Sequence, residues 1–549
     1  MNEQSPRDPR LAAAVEGVAA ALQKNDQAQA IRLARSALDL GLVHPLLLNL
    51  RAFWLEGRGR MNDALADLER ARDLVPDDVP VLNALGLAYT KLHRPIEAAK
   101  EFEKVIALQP DFTPVYFNHG WACELWGELN KAKQSYEIAV ARSQGTRDSA
   151  EPLARLATLA VRRGDWAEAR EIATRTLKLA PNHPIARLAQ LRANIQTGEL
   201  DQAEEGLREI LALPTLDPND RYQAMGALGD LRDREGRHAD AFAAYSAGNA
   251  EWRKIANTRY GYGKRLTGLG ALQWMHRFYE KAQPLPKAPP ASAPQPTTRH
   301  VFLLGFIRSG TTLLEQVLAS HPDVVTMEEK EALGDSGPQY LANDQGLMRL
   351  QNLSDADRTR HVEAYWQRVR EQGLDPVGKI FIDKQPFNTV KLPLIAALFP
   401  DAKILFAVRD PRDVLLSCLR QRFLLTALTY ELLTLEDAAQ FYDAYMRLAD
   451  ELRRVLPLDL HQIRHEDFVD DFEGEGRKVC EFLGIEWTDA MRDFAERRKV
   501  RAITTPSAAQ IAKGLNREGM GRWRKYAEQM APIQPVLKPW LEHFGYPTT

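Results

Sequence analysis

Two patterns of apolar spacing divide this chain of 549 residues. From residue 12 to about 280, Ala and Leu recur every three or four positions, the period of helices with one buried face. From about residue 299, short apolar runs alternate with helical periods. Runs 300–306, 379–383, 403–408 and 458–463 read as strands. Helices are expected near 311–320, 389–399, 412–425, 438–456 and 475–483. Such alternation predicts a parallel sheet covered on both faces, with ligands bound beyond the carboxyl ends of its strands. Between the two patterns, 281–298 holds Pro284, Pro286, Pro289, Pro290, Pro294 and Pro296. That density forbids a helix or a central strand and reads as an extended, semi-rigid linker. The expected organisation is a helical array over 1–280, the linker, and an α/β domain over 299–549.

The helical half also repeats. Val79-Pro-Val-Leu-Asn-Ala-Leu-Gly-Leu-Ala-Tyr89 continues to Ala98-Ala99, Phe102 and Pro110, and Pro76 lies one period before Pro110. Gly120, Ala132, Tyr136 and Ala139 stand at equivalent places in the next unit, and Ala64, Leu68 and Ala71 in the preceding one. Ala169 with Pro181, then Ala203, then about Ala241, extend the series to about six or seven units. This spacing resembles the tetratricopeptide repeat, a helical solenoid in which each unit buries its apolar face on its neighbours. The resemblance implies a concave groove for a peptide or partner protein, or else a scaffold surface. Trp54, Trp121, Trp126 and Trp166 could anchor such a ligand or simply fill the core.

Composition narrows the classes. With 45% hydrophobic and 27% charged residues the chain is an ordinary globular protein, long enough for two or three domains. A formal net charge of −2 gives no basic field for nucleic acid or an anionic membrane. Cys123, Cys418 and Cys480 are far apart, with neither metal spacing nor a disulfide framework, which points to a reducing compartment. No signal-peptide order opens the chain, and no apolar run reaches the ~18 residues of a membrane span. A cytoplasmic location is therefore expected.

Candidate chemistry begins at Val301-Phe-Leu-Leu-Gly-Phe-Ile-Arg-Ser-Gly-Thr-Thr-Leu-Leu-Glu315. A strand, a Gly-bounded loop and a helix N-terminus together make an anion site, because loop N–H groups and the helix dipole converge there. The spacing from Gly305 to Gly310 is that of a P-loop, but Thr311 stands where the Lys should be. That departure argues against ATP or GTP and for another phosphate-bearing ligand. A strand–turn–helix corner with no ligand is the alternative. A second anion site is read at Arg409 and Ser417, where a planar guanidinium suits phosphate; pairing of Arg409 with Asp410 or Asp413 is the plainer reading.

Arg308-Ser-Gly-Thr-Thr312 resembles the 5′-phosphosulfate loop of sulfotransferases that use 3′-phosphoadenosine 5′-phosphosulfate (PAPS). With His321-Pro322-Asp323 and Glu328-Glu329 downstream, it is similar to the tyrosylprotein sulfotransferase branch over about residues 299–545. The resemblance implies a sulfotransferase fold, PAPS as donor, adenosine 3′,5′-bisphosphate as product, and no metal. It implies donor contacts from Arg308, Ser309, Gly310, Thr311 and Thr312, and 3′-phosphate contacts from Arg409 and Ser417. Arg420 and Arg422 flank the place of a further family Arg. Glu329 matches the catalytic base, Lys384 in Asp-Lys-Gln-Pro-Phe387 the residue that stabilises the transition state, and Ser507 a serine that assists it. Arg522, beside Gly519 and Gly521, matches the loop that covers the nucleotide, with Arg517 the weaker match. His465 takes the place of a family Tyr near the nucleotide. Glu331 and Glu518 stand where the family has Arg and Lys. Tyrosylprotein sulfotransferases are Golgi membrane enzymes, and this chain departs from them there. The acceptor implied is a hydroxyl, peptide tyrosine among the candidates. The rival readings are a P-loop kinase and a repeat scaffold carrying an inactive nucleotide domain.

Overall fold

The structure, a computed structural model, describes residues 8–92, 94–143, 145–260, 267–334, 336–423, 425–497 and 514–548. Proline sets the start of helix after helix. It occupies the first turn of Pro9–Gln23, Pro45–Glu56, Val79–Lys91, Pro95–Leu108, Pro114–Trp126 and Pro218–Arg234. There its missing N–H costs nothing and its fixed φ suits the helix. Asp78 and Asp217 cap two of these starts, accepting from the N–H groups of Val81 at 3.0 Å and Asn219 at 2.8 Å.

Consecutive helices pair, and a glycine marks the crossing. A Cβ on Gly86 would stand 2.5 Å from the Phe102 ring, and one on Gly120 would stand 2.6 Å from Tyr136. Gly229 faces Tyr245 in the same way. In all three pairs the aromatic follows its glycine at the same interval, so helix 218–234 with its successor is a repeat of the same kind. The small residue lets the two backbones approach and the ring fills the gap, burying about 1.5–3 kcal/mol of apolar side chain. Trp54 is held by its own neighbours: the Arg35 and Arg58 guanidinium carbons lie 3.7 and 4.4 Å from its ring centroid.

The chain divides into two compact units, 1–161 with 167–190, and 162–166 with 191–549. The first is helical throughout. The second holds the final helices of the repeat half together with the α/β part. Its sheet has five parallel strands: β1 Arg299–Gly305, β2 Val324–Glu328, β3 Ile380–Lys384, β4 Lys403–Val408 and β5 Asp459–Arg464, in the order β2-β3-β1-β4-β5. β1, at the centre, is buried from His300 onward. Helices 355–371 and 435–455 bury aromatic residues against one face of the sheet, while helices 311–318 and 472–483 cover the other. The four strands expected from the pattern are present; β2, at one edge, was not expected.

The proline-rich stretch is extended, as read, but it is bound along the second unit rather than spanning a gap. The Leu285 N–H donates to the Val455 carbonyl at 2.7 Å, the Pro296 carbonyl accepts from the Gly378 N–H at 3.0 Å, and Ala293 is buried in the core. Trp366 Nε1 donates to Gln295 at 3.0 Å. Prolines lack donors, so the stretch binds through its carbonyls and through the N–H groups and side chains of the residues between the prolines. Helix Gly268–Tyr279 packs on Leu435–Val455, and its first turn is capped by Glu431, which accepts from the Leu269 N–H at 2.9 Å. The boundary at 280 therefore falls within one compact unit.

The crossings predict an asymmetry among glycines. Gly86→Ala forces a methyl group into the Phe102 ring and is expected to cost about 1–3 kcal/mol. Gly17→Ala meets only Leu33 at 3.8 Å inside a helix and should stabilise by about 0.5–1 kcal/mol. Urea unfolding of the two variants checks this, and equal midpoints would overturn it.

Candidate active site

The groups singled out from sequence gather at the carboxyl ends of β1 to β4. β1 ends at Gly305, where φ is +142 and a Cβ would strike the Ala407 carbonyl. Only glycine lets β1 and β4 pass so closely. The loop then turns through Arg308, at φ +67, and Gly310, at φ +94, into helix Thr311–Leu318. A Cβ on Gly310 would collide with His465. Ser309, Thr311 and Thr312 are buried. Among the described residues the Ser309 hydroxyl meets no partner, an orphan in the middle of the loop. Tyr445, from helix 435–455, braces the loop: its hydroxyl lies 2.8 Å from the Gly305 carbonyl oxygen and 3.0 Å from that of Pro386.

Two guanidinium groups, of Arg308 and Arg409, tie this loop to its neighbours. Arg308 Nε donates to Ser417 Oγ at 3.0 Å, which joins the loop to helix Pro411–Arg420. Arg409 Nη1 donates to the Arg308 carbonyl at 3.1 Å, and Nη2 to the Gly519 carbonyl. Burial, with Arg409 and Arg420 adding like-charge repulsion, pulls Arg308 down to about 10. A buried cation depressed in this way favours an incoming anion. Asp413 holds the other side of the glycine-rich loop, accepting from the N–H groups of Gly521 at 2.6 Å and Trp523 at 2.9 Å. Arg412 stacks 3.8 Å over the Trp523 ring. His465 is pushed down to about 3 by burial and by Arg409, so it is neutral against the loop. These features fit a phosphate-bearing nucleotide.

The second cluster centres on Lys384 at the end of β3. Its ammonium is fully buried, 2.8 Å from Glu329 Oε1, 3.3 Å from Glu315 Oε2 and 3.8 Å from Glu328 Oε1. Burial opposes the charge, but the three carboxylates outweigh it and hold Lys384 protonated. Glu329 sits just past β2, and its N–H donates to the Lys384 carbonyl at 2.8 Å. Its φ of +47 is left-handed. Among the described residues only Asn25, Gln202, Arg308 and Glu329 are non-glycine at positive φ. Two of these four are site residues, in keeping with strain stored where a side chain must be aimed. The side chains of Glu315, Glu328 and Glu329 are 1%, 16% and 37% exposed, so Glu329 is the carboxylate open to an incoming molecule.

Asp383, one residue before Lys384, points to the opposite face. It accepts from the Tyr365 hydroxyl at 2.9 Å, which lies 2.9 Å from His300 Nε2. Burial pushes Asp383 up to about 7, and likewise Glu315, despite the pull of Lys384 on the latter.

The structure thus brings together Arg308, Ser309, Gly310, Thr311, Thr312, Arg409 and Ser417, and separately Glu329 with Lys384. Arg522 follows the glycine-rich loop but donates to Asp233. Arg517 pairs with Asp470 at 2.6 Å. Arg420 and Arg422 bind Asp233 and Asp230, at 3.2 and 2.9 Å. Glu331, at the departure from the family pattern, pairs with Lys391 at 2.5 Å. Ser507 lies outside the described residues. Sequence reasoning missed Glu315 and Tyr445, and read Asp413 only as a candidate partner of Arg409, not as the acceptor for the Gly521 and Trp523 N–H groups; for Glu315 the signal was a carboxylate one turn into the helix after the loop, at a position that the apolar period assigns to the core.

Comparison with known proteins gives family matches in both halves of the chain. Residues 300–489 match the sulfotransferase family, and 79–112 and 154–221 match tetratricopeptide repeats. The chain carries a sulfotransferase-family domain together with tetratricopeptide repeats. A protein-tyrosine sulfotransferase of Drosophila melanogaster is 24% identical over 253 residues, 43% of this chain and 50% of that protein. Protein-tyrosine sulfotransferase 1 of Danio rerio is 26% identical over 272 residues, 45% of this chain and 72% of that protein. An uncharacterised protein of Aquifex aeolicus is 25% identical over 256 residues, 44% of this chain and 33% of its own length. The match thus spans a third of the Aquifex protein, half of the Drosophila one and 72% of the Danio one. A tetratricopeptide repeat protein from Parabacteroides merdae aligns with a TM-score of 0.35 at 14% identity, covering 44% of this chain and 94% of that one.

The raised carboxyls predict a pH dependence. A carboxyl whose folded pKa is raised binds its proton more tightly folded than unfolded. Its contribution is complete below the unfolded value and is lost as pH climbs to the folded one. For Asp383 that window runs from about 4 to about 7, with a loss on the order of 2–4 kcal/mol. Asp383→Asn should therefore flatten the fall of the unfolding midpoint between pH 5 and pH 8. Identical slopes in variant and wild type would contradict the assignment.

Proposed function

We propose that the chain is a PAPS-dependent sulfotransferase that sulfates an acceptor hydroxyl, with peptide tyrosine the leading acceptor. The observation that carries this reading is the pairing of two aimed residues at neighbouring strand ends. The Arg308 loop forms an anion site after β1, and Glu329 meets Lys384 after β2 and β3. When bound, the donor supplies a sulfuryl group, whose transfer resembles loose phosphoryl transfer. Ser309, Thr311, Thr312 and the loop N–H groups would hold its 5′ end, and Arg409 with Ser417 its 3′-phosphate. Glu329, open to solvent on one side, takes the proton of the acceptor hydroxyl as the new bond forms. Lys384, kept protonated by its carboxylates, offers positive charge to an oxygen that gains negative charge. A Lys so deeply buried keeps one position, and this pre-organises it at no cost during reaction. The similarity to protein-tyrosine sulfotransferases supports a protein acceptor, and the tetratricopeptide repeats are suited to bring one.

Two measurements test the reading. Glu329→Gln keeps shape and removes basicity, so kcat should fall by roughly 10²–10⁴ while nucleotide affinity holds within a few-fold. Glu328→Gln, whose carboxylate lies farther from Lys384, should lose much less. If both variants keep full activity, the base lies elsewhere. On the donor side, Arg409→Ala and Ser417→Ala should weaken adenosine 3′,5′-bisphosphate far more than adenosine 5′-phosphate. Charge-assisted contacts of this kind are worth about 1.5–3 kcal/mol each. Equal losses for both nucleotides in calorimetry would remove the 3′-phosphate assignment.

A further inference from the structure

The last repeat carries an acidic edge that reaches the donor site. Helix Pro218–Arg234 sets Asp230 and Asp233 one turn apart, and both face the α/β part of the same compact unit. Asp233 is 7% exposed. It accepts from Arg420 Nη2 at 3.2 Å, and from the Arg522 guanidinium and the Tyr526 hydroxyl at closer range. His238 Nδ1 lies 3.3 Å away. Burial alone would raise its pKa, but Arg420, Tyr526 and Arg522 outweigh burial and hold Asp233 below the usual carboxylate range. Asp230 takes Arg422 Nη2 at 2.9 Å and the Tyr245 hydroxyl at 2.9 Å. A Cβ at Gly226 would lie 2.5 Å from Arg422, so the helix leaves room for that side chain.

The partners of Asp233 belong to the two segments that border the expected 3′-phosphate site. Arg420 ends the helix that presents Ser417. Arg522 directly follows Gly521, in the loop whose Gly519 carbonyl accepts from Arg409. Its Nε is buried and meets no acceptor among the described residues. One carboxylate from the repeat half therefore clamps both segments from outside.

We propose that Asp233 is a positioning residue of the donor site. Through Arg420 and Arg522 it fixes the Ser417 helix and the Gly519–Gly521 loop at the separation a 3′-phosphate needs. The final repeat is then part of the nucleotide site, and selectivity for a 3′-phosphorylated nucleotide depends on it. This rests on the donor reading above.

The test is calorimetry on the full chain, with adenosine 3′,5′-bisphosphate and adenosine 5′-phosphate as probes and thermal unfolding alongside. Asp233→Asn should weaken the bisphosphate by about tenfold or more, while adenosine 5′-phosphate changes by less than about threefold. Asp230→Asn breaks the neighbouring contacts on the same helix and should lower the unfolding midpoint without changing the ratio of the two affinities. In an Arg522→Gln background, Asp233→Asn should cost less than it does in the wild type, because only the Arg420 contact is left to lose. A ratio retained in Asp233→Asn, or equal losses for both nucleotides, would reduce Asp233 to a structural residue and overturn the proposal. If Asp233→Asn does not fold, Asp233→Glu decides: it keeps the charge but displaces the carboxylate, so a lowered ratio supports the proposal and an unchanged one overturns it. Wild-type protein that binds neither nucleotide would refute the donor reading, and this proposal with it.

Discussion

A buried ammonium is costly unless the surrounding fold answers it, and Lys384 imposes that condition on this site. Three carboxylates from two different parts of the chain, Glu315 on the helix after β1 and Glu328 and Glu329 at the end of β2, come within 4 Å of one nitrogen. They can do so because β1, β2 and β3 are parallel and in register, with Leu303 and Glu328 both paired to Lys384. Parallel order brings three strand ends to one edge, and the charge balance then requires each end to deliver its residue. The anion loop follows from the same geometry. It leaves β1 beside that cluster, so a cationic pocket and an acidic one are held side by side by a single sheet.

Much of this was legible in the sequence where function is local. The loop from Gly305 to Thr312, Lys384 after an apolar run, and Arg409 with Ser417 are short motifs whose residues lie close in the chain. What sequence did not reveal depends on long separations. Asp413 meets Gly521 across 108 residues, and Asp233 meets Arg522 across 289. No periodicity encodes such pairs. β2 escaped because its acidic end read equally well as a solvated charge run. The helix expected over 412–425 stops at Arg420, because Arg420 and Arg422 are drawn onto Asp233 and Asp230 and Gln421 turns extended between them.

The compact units do not follow the proline-rich stretch, for a related reason. Proline density correctly forbids regular structure, but it does not say whether an extended segment is free or bound. Here its carbonyls and intervening side chains find partners along the α/β surface, and helix 268–279 packs on helix 435–455. The repeat pattern at 218–260 signals a solenoid unit, yet its outer face carries the carboxylates that hold three arginines of the α/β part. A repeat needs a neighbour on each side. For this last one, an enzyme-like domain provides the cap that another repeat would otherwise supply.

The left-handed backbone at Arg308 and Glu329 has a bearing on laboratory evolution. Each position stores on the order of 1–3 kcal/mol of conformational energy that a glycine would release. A library selected for thermal robustness alone would therefore be drawn toward glycine at these two places, and would discard the two side chains aimed at the candidate site. Selection for turnover would pull the other way. Opposed enrichment of glycine at 308 and 329 under the two regimes would map, without any assumption about the substrate, where this protein gives up durability for work.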